Sequence, residues 1–222
     1  LSHMHRCVDA RGRPVGPPAF DSGVSVAARR FFRWYRQGPR LARPVLRRLL
    51  RATMARHQRI ILRSGIKLEV DLDRVVQHTI FWCDGDMEPQ LGWAVREFLP
   101  VGGTLIDCGA NCGFIGLEAR LHRQARVLFV EPHPELAETI RRNITVNQWA
   151  DSCRLIEAGA SDHRGKASLF ISRGYDGSHS PLPDWWKHEG EAEKIEVTLV
   201  KRDDLMDREP GLHQIDFLKN DH

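Results

Sequence analysis

The sequence predicts an α/β protein built on a doubly wound, mostly parallel sheet. Apolar runs and helix-like segments alternate through residues 104–158, a pattern typical of strand–helix–strand units. The stretch "RVLFVE" (126–131) is continuously apolar at its centre, which indicates a strand covered on both faces. At 222 residues the chain is long enough for one sizeable core with a small appendage.

Periodicity and glycine or proline punctuation predict the elements in order. "RIILRSGIKLEVDL" (59–72) alternates around a glycine turn and predicts a β-hairpin, and residues 90–99 show helical spacing that Pro100 stops. The later predicted elements are strand 104–108, a helix over about 112–123, strand 126–131, helix 134–147, strand 153–158, an antiparallel pair "GKASLFIS" and "KIEVTLVKRDDL", and a final strand "IDFLKN". The loop of about 173–193 has no periodicity and is either disordered or a functional lid.

The N-terminal part of the chain differs in charge from the rest. Residues 1–23 are rich in proline and glycine and predict a disordered tail, and residues 24–58 predict a basic helical extension before the main domain at 59–222. Residues 22–68 hold twelve arginines, Lys67 and no acid, although the whole chain carries only +4. The extension is interpreted either as a solvated hairpin packed on the acidic domain or as a contact with an anionic membrane surface; nucleic acid ranks last, because no RNA-recognition motif accompanies it.

Other classes of protein are excluded by composition. No apolar run approaches the ~20 residues of a membrane span, and no signal-peptide core follows "LSHM", so a cytoplasmic protein is expected, with peripheral membrane contact through the extension as the alternative.

The five cysteines are odd in number and lack a C-x-x-C pair. They predict neither a disulfide framework nor a metal site, and we expect reduced, mostly buried thiols.

The stretch "TLIDCGANCGF" (104–114) places glycines where a buried strand should end. A dinucleotide site needs G-x-G-x-x-G, but Asn111 stands where the second glycine belongs, so an NAD-dependent enzyme is the poorer hypothesis. Asp107 closes this strand and Glu131 the next, where an acid typically binds ribose hydroxyls. A carboxylate attracts a cation and repels phosphate, so S-adenosylmethionine fits better. The alternative is that both acids merely cap helix N-termini.

Five stretches carry a family resemblance. They are "TLIDCGANCGF", "VLFVEPHPELAETIRRNITVNQ", "CRLIEAGASDHRGKASLFIS", "VTLVKRDDL" and "IDFLK". In order and spacing, the chain resembles the FkbM-type family of S-adenosylmethionine-dependent methyltransferases over about residues 63–221. The resemblance implies a class I, Rossmann-like methyltransferase domain. After "FLK" the family continues further, so we expect the C-terminal strands of the sheet to be missing. The resulting open sheet edge favours a homo-oligomer.

The same resemblance implies roles for individual residues. The methionine moiety would be cradled by Asp107, Gly109, Ala110, Asn111 and Gly113. Glu131 would hold the ribose hydroxyls, the adenine would face Ala160, Ser161 and Asp162, and Glu88 would lie near the cofactor or acceptor. Lys219 and Asp221 match a K-x-D motif that contacts the acceptor.

The function expected from these residues is O-methylation of a hydroxyl on a saccharide, polyketide or other secondary metabolite. Asp221 is the candidate catalytic base or acceptor-orienting group, with Lys219 tuning it, and His179 is a weaker candidate. Lys219 and Asp221 could also form a simple ion pair at a strand end. The alternative function is a non-catalytic protein that binds a nucleoside, or a partner through its arginines.

Several other residues have structural interpretations. Cys108 and Cys112 are expected to pack in the core, Asn143 to lie on a helix surface and Asn147 to cap that helix. Trp185–Trp186 would either stack on the acceptor or cover exposed core.

Overall fold

The computed structural model describes residues 19–20, 55–83, 85–172, 192–205 and 214–221. The predictions for residues 24–54, and those for His179 and Trp185–Trp186 in the loop, lie outside these ranges. The chain divides into two compact units, Leu1–Pro89 and Gln90–His222. Within the described ranges, no helix is both long and apolar enough to cross a membrane.

The first unit contains an antiparallel sheet of order β1-β2-β3 and a helix. Its elements are β1 (Ala19–Phe20), β2 (His57–Ile61), β3 (Lys67–Asp71) and α1 (Val75–Cys83). The predicted hairpin is confirmed. Its alternation places Ile60, Leu68 and Val70 in the core.

Two expectations for the first unit are corrected. Residues 57 and 58 were expected at the end of the helical extension, but they form strand because they pair with Asp71 and Val70 of β3. Ala19–Phe20 were expected in a disordered tail, but they pair with Ile60–Ile61 along the other edge of β2. The helix α1, "VVQHTIFWC", is not predicted, because its β-branched and aromatic residues lack a polar face with helical period.

The second unit alternates helices and strands. Its elements are α2 (Pro89–Phe98), β4 (Thr104–Cys108), α3 (Phe114–Arg123), β5 (Arg126–Val130), α4 (Pro134–Val146), β6 (Cys153–Ile156), β7 (Gly159–Ser161), β8 (Gly165–Ser172), β9 (Ala192–Lys201), a 3₁₀ turn (Arg202–Asp204) and β10 (Phe217–Asn220). The central sheet has the order β10-β4-β5-β6 and its strands are parallel. The predicted α/β class with a parallel sheet is confirmed.

A second sheet has the order β7-β9-β8, in which β8 and β9 are antiparallel. This is the predicted antiparallel pair. The prediction of one strand over 153–158 is wrong, because the carbonyl of Ile156 accepts from the N–H of both Glu131 and Ala158, which ends β6 and turns the chain into β7. Buried apolar residues join the two sheets at the carboxyl ends of β4 and β5. They are Ile106, Cys108, Leu128, Val130, Ala158, Val200 and Leu205.

Close packing holds α3 against the central sheet. A Cβ added to Gly116 would lie 2.6 Å from Cζ of Phe129 and 2.7 Å from Cγ1 of Val127, both on β5. Only glycine allows the helix to approach the strand this closely. The N-terminus of α3 is therefore fixed beside the carboxyl ends of β4 and β5.

Candidate functional site

The parallel order of β10, β4 and β5 brings the ends of three strands together. Lys219 on β10 is in register with Asp107 on β4, and Asp107 is in register with Phe129 on β5. Glu131 follows directly after β5. The predicted acids and the predicted lysine therefore meet at the carboxyl ends of these three strands.

The loop between β4 and α3, residues 109–113, is called the glycine loop here. Three of its residues have a backbone conformation in the left-handed region: φ is 69° at Gly109, 54° at Asn111 and 81° at Gly113. Asparagine tolerates this region better than most residues that carry a Cβ, which accounts for Asn111 where a dinucleotide fingerprint has glycine. A Cβ on Gly109 would also lie 3.2 Å from Cβ of Asp221.

On the β5 side, the glycine loop is held through its backbone N–H groups. Gly109 and Ala110 donate to the carbonyl of Val130, at 2.9 and 3.3 Å. Asn111 N–H donates to Oε2 of Glu131 at 2.8 Å, and His133 N–H donates to its Oε1 at 2.9 Å. Burial raises the pKa of Glu131 to about 7, although these two hydrogen bonds oppose the shift.

On the β10 side, the ammonium of Lys219 contacts four oxygen acceptors, of which the carbonyl of Cys108 is the most distant, at 3.3 Å. Its Nζ lies 2.7 Å from the carbonyl oxygen of Gly109, 3.0 Å from Oδ1 of Asp107 and 2.6 Å from Oδ2 of Asp221. The side chains of Lys219 and Asp107 are 7% and 1% exposed, whereas that of Asp221 is 63% exposed. Burial works to lower the pKa of Lys219, but the two carboxylates raise it overall, so the group stays charged.

The other oxygen of Asp107 accepts from Gly116 N–H in the first turn of α3, at 3.3 Å. Burial raises the pKa of Asp107, and the charge of Lys219 opposes that rise. Asp107 and Glu131 therefore do bond to backbone near helix starts, as the capping hypothesis holds. Glu131 also bonds to the glycine loop at Asn111, and Asp107 contacts the ammonium of Lys219 that bonds to Gly109; the capping hypothesis requires neither contact.

Asn143 is a site residue that sequence reasoning misses. It is fully buried, and its Nδ2 donates to the carbonyl of Cys112 at 3.1 Å, so the expectation that it lies on a helix surface is wrong. The reason is its place in the buried stripe of α4, three residues after Ile140 and seven after Leu136. That spacing is the signal that could have found it. Asn147 is confirmed as the C-cap.

Of the segment predicted to face adenine, Ala160 and Ser161 lie on β7, and Asp162 follows directly after it. Ala160 packs against the apolar cluster that contains Cys108 and Val130, so β7 lies beside the ends of β4 and β5. The Ser161 hydroxyl and the Asp162 carboxylate both contact Nδ1 of His163, at 3.2 and 2.5 Å. Because they share one ring nitrogen, this trio is not a nucleophilic relay.

Glu88 belongs to the first unit, where it has φ 54°. Its predicted place near the cofactor stays a prediction. Cys108, Cys112 and Cys153 are buried in the core, as expected. Burial raises the pKa of Cys108 to about 11 and that of Cys153 to about 12, which makes both unreactive. Among the residues that the structure describes, no group of three or more His, Cys, Asp or Glu side chains could hold a metal ion.

Comparison with protein families identifies the domain. Residues 107–222, just over half of the chain, match the model of the methyltransferase FkbM domain. The chain belongs to the FkbM methyltransferase family. Methyltransferases of this family use S-adenosylmethionine, in agreement with the cofactor expected from the sequence.

One curated relative is the methyltransferase sdnD of Sordaria araneosa. The two chains are 26% identical over an alignment of 148 residues, and the match covers 55% of this chain and 57% of the relative. The chain therefore spans a little over half the length of that relative.

Two solved structures resemble the FkbM domain chain more distantly. One is TYW2 of P. horikoshii in complex with MeSAdo, at 15% identity and a TM-score of 0.38 over 48% of this chain and 37% of that one. The other is TYW2 of M. jannaschii in complex with AdoMet, at 14% identity and a TM-score of 0.37 over 46% and 43% of the two chains.

The residues at the strand ends fit S-adenosylmethionine chemically. Asp107, Glu131 and Asp221 supply carboxylates for a cationic ligand, and Lys219 is already paired with two of them. The glycine loop brings bare backbone close to Asp221. A Cβ at Gly109 would crowd that residue.

Proposed function

We propose that this domain binds S-adenosylmethionine at the ends of β4 and β5 and methylates a hydroxyl of a saccharide, polyketide or other secondary metabolite. The observation that carries the proposal is the environment of Glu131. Each oxygen of this buried carboxylate accepts one backbone N–H, and a carboxylate oxygen has two acceptor positions. Each oxygen therefore keeps one position for a ribose hydroxyl.

When bound, the cofactor supplies a methyl group on a cationic sulfonium, and the protein aligns that group with its acceptor. In this proposal the glycine loop receives the methionine moiety. The carboxylates of Asp107 and Asp221 stabilise the positive charge, and β7 borders the adenine.

Asp221 is the proposed base for the acceptor hydroxyl. Its side chain is exposed, and the ion pair with Lys219 uses Oδ2, so Oδ1 is the atom assigned to accept the proton. Membrane contact through the arginine-rich extension stays a separate prediction, since that segment lies outside the described residues.

Calorimetric titration tests the cofactor site. The protein is expected to bind S-adenosylmethionine and S-adenosylhomocysteine but not NAD, and Glu131→Gln is expected to weaken both by about tenfold or more, because a buried charged acceptor is lost. Glu157→Gln is the matched control, since Glu157 follows the neighbouring strand β6 but is exposed and pairs with Arg141.

The proposal would be overturned if the protein gives the circular dichroism spectrum of a folded chain and binds neither S-adenosylmethionine nor S-adenosylhomocysteine. Where binding is observed, S-adenosylhomocysteine release with hydroxylated acceptors tests the methyl transfer. An Asp221→Asn variant that transfers at the wild-type rate would remove the base assigned to Asp221.

A further inference from the structure

Lys219 uses its donors on groups of this chain. An ammonium has three N–H bonds, and Nζ of Lys219 lies within 3.0 Å of three oxygens, on Gly109, Asp107 and Asp221. The carbonyl of Cys108 lies slightly further away, at 3.3 Å. The side chain is also 7% exposed, so it offers little surface to an acceptor.

The contact with Gly109 has a geometric consequence for the glycine loop. The carbonyl of the Gly109–Ala110 peptide bond accepts from Lys219 at 2.7 Å, while its N–H donates to Val130 on the opposite side at 3.3 Å. In a planar trans peptide these two groups point in opposite directions, so holding both fixes the rotation of the plane. Glycine is otherwise the residue with the most backbone freedom.

We infer that Lys219 is a positioning residue that holds the Gly109–Ala110 peptide in the orientation required to receive the methionine moiety of the cofactor. The inference rests on the proposed function. It gives Lys219 a role towards the cofactor in addition to its contact with Asp221. The role follows from the register of β10 against β4, which places Lys219 beside Asp107.

Amide hydrogen exchange measures the loop without any ligand. In Lys219→Met, the amides of residues 109–113 are expected to exchange about tenfold faster, because a charge-assisted hydrogen bond to the loop is lost. Lys166→Met is the matched control, since Lys166 is an exposed lysine on β8 that pairs with Glu196. It is expected to leave exchange of the glycine loop unchanged.

Lys219→Met also leaves the buried Asp107 carboxylate without its cation, which could unfold the protein. The decisive comparison is therefore between Asp107→Asn and the double variant Asp107→Asn/Lys219→Met. Neither has the buried carboxylate, and the double variant also lacks the ammonium that donates to Gly109 and pairs with the exposed Asp221. The double variant is expected to unfold at a denaturant concentration close to that of Asp107→Asn, yet to exchange its loop amides about tenfold faster and to bind S-adenosylhomocysteine about tenfold more weakly.

Equal loop exchange in the two variants would overturn the inference, and so would faster exchange with equal affinity. Failure of the wild-type protein to bind S-adenosylhomocysteine is a different result, because it overturns the proposed function and with it the cofactor role of Lys219. The exchange comparison would still decide whether Lys219 orders the glycine loop.

Discussion

Two lysine–carboxylate pairs of the second unit differ in burial and in distance. Lys219–Asp107 is buried, with 7% and 1% of the side chains exposed, and its atoms lie 3.0 Å apart. Lys166–Glu196 is shorter, at 2.6 Å, but 68% and 65% of its side chains are exposed. Water screens the exposed pair, whereas neither partner of the buried pair can turn to solvent. Burial, not distance, decides which pair the fold depends on.

Replacement of each lysine tests this comparison most strongly. Lys219→Met is expected to lower the free energy of unfolding by about 3–5 kcal/mol, because it leaves a buried carboxylate without its cation. Lys166→Met is expected to leave the urea midpoint unchanged. Equal midpoints for the two variants would show that burial does not separate the two pairs.

Gly116 and Gly92 allow a second comparison, between a glycine in closely packed surroundings and one beside a flexible side chain. Gly116→Ala is expected to cost about 1–3 kcal/mol, because the added Cβ would lie 2.6 Å from Cζ of Phe129 in the closed space against β5. Gly92→Ala in α2 is the control, since its Cβ would meet only the flexible guanidinium of Arg96, at 3.4 Å or more. This change is expected to stabilise the protein by about 0.5–1 kcal/mol. Thermal or urea unfolding measures both, and a tolerated Gly116→Ala would mean that α3 can move off the sheet.

The pH dependence of binding separates Glu131 from carboxylates with ordinary pKa values. Because burial raises the pKa of Glu131 to about 7, the ionised form that accepts ribose hydroxyls is scarce at pH 6 and dominant at pH 8. Affinity for S-adenosylhomocysteine is expected to rise about tenfold over that interval. Titration calorimetry of Glu131→Gln should show no such rise, and this variant controls for other groups near the site, including His133.

The same group affects stability with the opposite sign. Glu131 has a higher pKa in the folded protein than its ordinary value of 4.5, so the folded state holds more protons between about pH 4.5 and 7. Its contribution to stability is therefore lost as the pH rises through that window. A wild-type affinity that stays flat while stability changes would mean that Glu131 does not contact the ligand.

The sequence was sufficient to predict those parts of the fold that depend on local pattern. Apolar runs and glycine punctuation indicate the hairpin, the parallel strands and the strand-end positions of Asp107 and Glu131. The contact between Lys219 and Gly109 could not be predicted, because it depends on the register of two strands 110 residues apart. Asn143 was placed wrongly because asparagine is usually exposed, and tertiary packing outweighed that preference.

The long separation between Lys219 and Gly109 also sets when the site is completed during folding. Closing a contact across 110 residues is slow compared with forming a hairpin or a single helical turn. During synthesis the ribosome must deliver β10 before the glycine loop gains its anchor. Until then, Asp107 lacks its cation and the carbonyl of Gly109 lacks its charged donor. Cofactor affinity in a translating chain would therefore report the docking of β10.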